Sequence, residues 1–129
     1  MKKIPAGTAK MGAGSLSRLA TCHPDLQRLV REVYRRTTED LSVACGHRGK
    51  ADQDREYAEG NSKLRWPKSR HNSYPSLAVD LWPYPVDWQD HAAFERLRAL
   101  VLETARDLEI PIEIIDWDLP HYQLPRNHQ

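Results

Sequence analysis

Apolar residues recur along the chain with two different periods, and the changes of period divide it into elements. Leu26, Leu29, Val30 and Val33 follow three-and-four spacing, which predicts a helix with Pro24 in its first turn and an end at Thr37 and Thr38. Residues 41–45, LSVAC, read as a short strand stopped by Gly46. Residues 51–59 are rich in charge and in good helix formers, with Gly60 placed to end a second helix. The run LAVDLW at 77–82 is the clearest strand, closed by Pro83 and Pro85. A longer amphipathic helix is expected over about residues 90–108, burying Phe94, Leu97, Val101, Ala105 and Leu108 and presenting its charges as a solvated face. Residues 112–115 and 121–124 give two further short strands, separated by an acidic, proline-containing corner. Residues 1–15, with Gly7, Gly12 and Gly14, are expected to form an irregular arm, and residues 61–76 a loop restricted by Pro67 and Pro75. Helices interleaved with short strands predict an α+β fold with a small antiparallel sheet, in one domain spanning residues 1–129.

Composition narrows what such a domain does. The chain has 19 Lys+Arg against 18 Asp+Glu, a net charge of +1, which removes the electrostatic case for nucleic acid or an anionic membrane as partner. No apolar run approaches the roughly 18 residues of a membrane span. The opening MKKIPAGTAKMGAGSL lacks the apolar core of a secretory signal peptide, so synthesis in a cytoplasm is expected. Cys22 and Cys45 suit neither a disulfide framework nor a metal knuckle and read as reduced thiols. With six His and two Cys, a metal site here must be built from imidazole and carboxylate.

Three polar positions are awkward in their local context. Asp80 lies inside the apolar strand, sharing a face with Ala78 and Trp82 and opposed to Leu77, Val79 and Leu81. A buried carboxylate there needs either an arginine partner or a metal. His71 precedes it by nine positions in a loop, and Asp118 and His121 form D-x-x-H around Pro120. Two imidazoles and one carboxylate, His71, His121 and Asp80, suit Zn²⁺ with one position left for water, and a further carboxylate beside that water suits a general base. Asp118 fits the base, with Asp116 as its rival. His47, beside Arg48, is a decoy ligand, and His23, His91 and His128 are expected to be solvated.

Ser69-Arg-His71, Ala78-Val-Asp80 and Asp118-Leu-Pro-His121 resemble the S-x-H…A-x-D…[DE]-x-x-H signature of bacterial and phage zinc peptidases. That family includes D-alanyl-D-alanine carboxypeptidases, dipeptidases and the L-alanyl-D-glutamate endopeptidases of phage endolysins. Gly46-His-Arg48, Gln53 and Gly60-Asn-Ser62 are similar to the family's G-x-R…Q…G-x-S approach, so the resemblance extends over about residues 15–125. It implies the Hedgehog/DD-peptidase-like fold, with a small antiparallel sheet carrying the zinc site between helices. It further implies one zinc per chain on His71, Asp80 and His121, Asp118 as base, and Arg48 holding a substrate carbonyl or the growing oxyanion. Ser69 and Gln53 become candidates for substrate binding or for supporting the site.

The activity so implied is hydrolysis of the peptidoglycan stem peptide, by an L-alanyl-D-glutamate endopeptidase of a phage or prophage lysis system. A D-alanyl-D-alanine carboxypeptidase or dipeptidase, and a zinc-containing wall-binding module without activity, are the alternatives. The expected enzyme is monomeric, made in the host cytoplasm, and reaches the wall after another factor has opened the membrane. Two departures stand out: the ligand spacing is H-x8-D where H-x6-D is usual, with Ser76 at a family glycine, and the 115–118 loop is short. Extending a loop by two residues is entropically cheap, so the ligands need not move.

Overall fold

The computed structural model describes residues 3–129. Its first helix, α1 (Ala13–Leu19), begins inside the segment expected to be irregular, two residues of which lie outside those described. Gly12 provides an extended N-cap, and the helix buries Ser15 and Leu19. Its reason lies in what it covers. Ser15 Oγ accepts from the Val43 N–H at 3.0 Å, and Arg18 donates to the Val43 carbonyl at 3.2 Å. Those groups lie on the outer edge of the first strand, so α1 satisfies backbone that an edge would otherwise leave open.

The second helix, α2 (Pro24–Arg36), has the boundaries its periodicity predicts, with Pro24 in the first turn and Thr37 at the end. Leu26, Leu29, Val30 and Val33 are fully buried, each worth about 1.5–3 kcal/mol relative to exposure. After β1 (Leu41–Cys45) comes α3 (Lys50–Ala58), ended by Gly60 at φ 80°. A loop with one 3-10 turn, Arg70–Asn72, leads to β2 (Ala78–Pro83). The long helix α4 (His91–Asp107) is capped by the Asp90 carboxylate, which accepts from the Ala93 N–H. Two very short strands, β3 (Glu113–Ile114) and β4 (His121–Gln123), complete the described elements. Both are shorter than the periodicity suggests, because Pro111, Pro120 and Pro125 flank them and cannot donate to a ladder.

The sheet has four strands in the order β1-β2-β4-β3, every pair antiparallel, so the fold is α+β with a small antiparallel sheet. One face carries Leu41, Val43, Val79, Leu81 and Tyr122 into a core shared with α2 and α4. The opposite face of β2 carries Asp80 and Trp82, as the alternation predicts. Between Val43, opposite Leu81, and Cys45, opposite Asp80, the first strand holds one extra residue, a β-bulge at Ala44.

Beyond the bulge, Gly46 passes so close to the first helix that a Cβ there would overlap the Arg18 carbonyl oxygen and the Thr21 hydroxyl. Gly46→Ala should therefore cost about 2 kcal/mol or more of stability, the usual penalty for overpacking. Thermal unfolding followed by circular dichroism checks this; an unchanged midpoint would contradict the packing described.

Candidate active site

Asp80 stands in the middle of the sheet, paired with His121 of β4 on one side and with Cys45 of β1 on the other. Directly opposed residues of antiparallel strands have Cβ atoms about 4.5–5.5 Å apart, so these side chains form one row on the face away from the core. His71 reaches the row from the 3-10 turn. Ser69 Oγ accepts from the His71 N–H at 3.2 Å, and the Asn72 amide oxygen accepts from the Ser69 N–H at 3.1 Å. The Arg48 N–H donates to the His71 carbonyl at 2.7 Å, tying this turn to the segment after β1. His71 Nε2 then lies 3.1 Å from Asp80 Oδ1, and His121 Nδ1 lies 3.3 Å from the same oxygen.

The outer nitrogen of each ring is committed elsewhere. His71 Nδ1 lies 2.7 Å from the Gly46 carbonyl, which can only accept, so Nδ1 carries a hydrogen and Nε2 is the nitrogen that faces Asp80, where a proton or a cation can bind. His121 Nε2 lies 2.8 Å from the Gln123 amide oxygen, while the Gln123 amide nitrogen donates to Glu113 at 3.0 Å. Glu113 also accepts from Arg70 at 3.2 Å, which fixes the far end of the chain of contacts. Two oriented imidazoles and a carboxylate so tethered are the usual arrangement of metal-binding histidines. Donors about 2.0–2.2 Å from a tetrahedral zinc stand about 3.3–3.6 Å apart, close to the 3.1 and 3.3 Å that separate the two imidazoles from Asp80. The donor set fits a divalent cation.

Charge in this cluster is strongly coupled. Burial draws the His71 imidazole down, but the Asp80 carboxylate outweighs it and lifts His71 to about 10. Burial also works against ionised Asp80, yet His71 and His121 hold it well below the usual carboxylate range. Asp118 shifts the other way: burial first, and the neighbouring Asp80 charge second, raise it above an ordinary aspartate. Two carboxylates in one cleft thus favour different protonation states.

His71, Asp80, His121, Asp118, Arg48 and Ser69 all line one cleft of about 1190 Å³. Arg48 lies 3.8 Å from Asp80 Oδ2 and donates to the Gln53 amide oxygen at 2.9 Å. Gln53 is fully buried, and its amide nitrogen donates to Ser62 and to the Leu64 carbonyl, so it holds Arg48 from behind and does not line the cleft. Ser69 supports the His71 turn through the hydrogen bond already described. His47 is exposed, with Nδ1 2.9 Å from the Ser73 carbonyl and its ring against Tyr74.

Among the described residues, two trios bring potential ligand atoms within 4.8 Å of one another: Cys45, His71 and Asp80, and His23, Asp25 and His128. His121 falls outside the first trio by that measure, although its Nδ1 meets the same Asp80 oxygen. In the second trio His23 and His128 are half-buried, contrary to the expectation of solvated rings. His23 Nδ1 caps α2 by accepting from the Asp25 N–H, and His128 Nε2 lies 2.7 Å from Asp25 Oδ2. His91 is exposed, as expected.

Sequence reasoning missed Arg98. Read as part of a solvated face, it is instead buried, and its guanidinium donates to the carbonyls of Ile115, Asp118 and Leu119 at 3.3, 2.9 and 3.0 Å. Its position carried a signal: Phe94, Arg98, Val101 and Ala105 are spaced four, three and four apart, along the apolar stripe itself. Trp117, 60% exposed on the rim with Lys63 stacked 4.4 Å above its ring, was also missed.

A small α+β fold with imidazoles, a carboxylate and a separate half-buried acid converging in one cleft suits a hydrolytic enzyme. Residues 8–123 match the family described as phage L-alanyl-D-glutamate peptidase. The L-alanyl-D-glutamate peptidase of Escherichia phage T5 is 31% identical over 114 residues, covering 84% of this chain and 82% of that one. The crystal structure of Serratia marcescens L-Ala D-Glu endopeptidase ChiX superposes with a TM-score of 0.76 at 29% identity, covering 92% of each chain. The chain belongs to the phage L-alanyl-D-glutamate peptidase family.

The tether on His121 makes a testable difference. Gln123→Ala removes the acceptor for His121 Nε2–H, and losing such a partner typically weakens metal binding about 10–100-fold. Competition with a chromophoric chelator measures this; affinity equal to wild type would show that Gln123 does not orient the ring.

Proposed function

We propose that this peptidase is a zinc-dependent peptidoglycan hydrolase that cleaves the L-alanyl–D-glutamate bond of the stem peptide, with one zinc per chain held by His71, Asp80 and His121. The observation that carries the metal is the convergence of two tethered imidazoles on one Asp80 oxygen, at 3.1 and 3.3 Å. The bond specificity rests on the family and on its two similar endopeptidases. When bound, zinc supplies Lewis acidity, polarising a carbonyl and bringing the pKa of water toward roughly 7.

The chain's own residues do the rest. Asp118, half-buried in the cleft, accepts a proton from the attacking water and returns it to the leaving amine. Its raised proton affinity suits that sequence, because the proton must be kept until the C–N bond breaks. Arg48 presents a guanidinium held in place by Gln53 to the negative charge that grows on the carbonyl oxygen. Arg98 fixes the backbone of the 115–119 segment and so the starting point of the Asp118 side chain. Ser69 and Gln53 act through the elements they hold.

No helix among the described residues is long and apolar enough to cross a membrane. Under this reading the enzyme works as one domain and one copy, is made in the host cytoplasm, and meets the wall once the membrane has been opened by another factor.

Digestion of purified sacculi should expose new D-glutamate amino termini, and Asp118→Asn should lose about 10²–10⁴-fold in rate while keeping one zinc per chain. Mass spectrometry of the released fragments and metal analysis of both proteins check this. Release of free D-alanine in place of the new D-glutamate termini would contradict the assigned bond.

A further inference from the structure

The cleft has an aromatic wall that the mechanism does not use. Trp82 lies two residues beyond Asp80 in β2 and on the same outward face, about 6.6 Å further along the strand. Its indole meets Trp88 edge-on, with ring centroids 5.0 Å apart. Trp88 in turn stacks on Phe94 at 5.4 Å, with 17° between the ring planes. All three line the cleft that holds His71, Asp80 and His121.

Core packing does not account for this row. None of the three residues belongs to the apolar core cluster, and Trp88 is 53% exposed. Phe94 is buried, so Trp88 covers it and is itself held in place by it. A large ring fixed before its ligand arrives loses little conformational freedom on binding. Such a surface suits a ligand with a flat face rich in C–H groups and with polar groups around its edge. That is the chemistry of a pyranose ring.

We infer that Trp82 and Trp88 form a saccharide subsite, which takes the N-acetylmuramoyl unit that carries the stem peptide. The inference rests on the function proposed above and extends the same cleft to the glycan end of the substrate. On the acyl side of the scissile bond, only L-alanine and a lactyl group separate the reacting carbonyl from the sugar ring. Extended, that connection spans about 7 Å, the length of two residues. The step from Asp80 to Trp82 along the strand has the same length. On the amine side the stem continues as flexible residues bearing carboxylates, which offer no flat face to an aromatic row.

Two soluble substrates test the subsite in the full chain: a muramoyl peptide, and the same peptide capped by an acetyl group in place of the sugar. The wild type should cut the muramoyl substrate with a kcat/KM about tenfold higher, the difference lying in KM. In Trp88→Ala that preference should collapse toward unity, whereas Trp88→Phe should keep most of it. Equal kcat/KM for the two substrates in the wild type, or a preference unchanged in Trp88→Ala, would overturn the subsite and leave the bond assignment standing. Failure to cut either substrate between L-alanine and D-glutamate would overturn the bond assignment and the subsite with it. Should Trp88→Ala not fold, Trp88→Leu decides, since leucine still covers Phe94 but presents no flat face.

Discussion

The constraint on which the rest depends is a carboxylate in the middle strand of the sheet. An ionised aspartate at that position is costly unless it is matched by opposite charge and by hydrogen bonds. Asp80 receives His71 from the loop, His121 from one neighbouring strand and, more distantly, Arg48 from the segment after the other. A proton on His71 and a divalent cation satisfy the same need, and they compete for the same lone pair. Under the proposed zinc reading, structural balance and metal binding are therefore one property of this site.

Behind His71, Arg48 and Asp118 stand groups with no direct view of the cleft. The Gly46 carbonyl orients His71, and Gly46 is glycine because Arg18 and Thr21 leave no room for a side chain. Gln53 serves Arg48 in the same way and also accepts from Asn72, which donates to the Arg48 carbonyl, so two loops share one buried amide. Arg98 directs one guanidinium nitrogen, Nη2, at three carbonyls of the segment carrying Asp118. The site's precision comes from these second contacts, which hold loop residues nearly as firmly as strands hold Asp80 and His121.

What could be read from the sequence was what depends on local period or on motif. The α2 stripe, the β2 alternation and the outward face of Asp80 follow from three-and-four or two-residue spacing. His71, Asp80, His121 and Asp118 stand out from their local context and Arg48 and Ser69 from the resemblance, and the structure brings all six together. The bulge at Ala44 was not legible, since LSVAC looks like any short strand and register depends on the partner. Helix α1 exists to cover a strand edge and has too few turns to show a period. The pairing of His128 with Asp25 joins positions 103 apart, a contact no local pattern encodes. Arg98 was legible and was misread, because charge was taken to mean exposure on a helix where its spacing placed it inside.

The central claim is that the donors meeting at Asp80 hold the metal. Crystals of the zinc-loaded protein, measured on both sides of the zinc absorption edge, locate the ion without reference to activity. The account predicts one anomalous peak about 2.0–2.2 Å from His71 Nε2, His121 Nδ1 and an Asp80 oxygen. A peak at His23, Asp25 and His128 in its place, or none at Asp80, would contradict it.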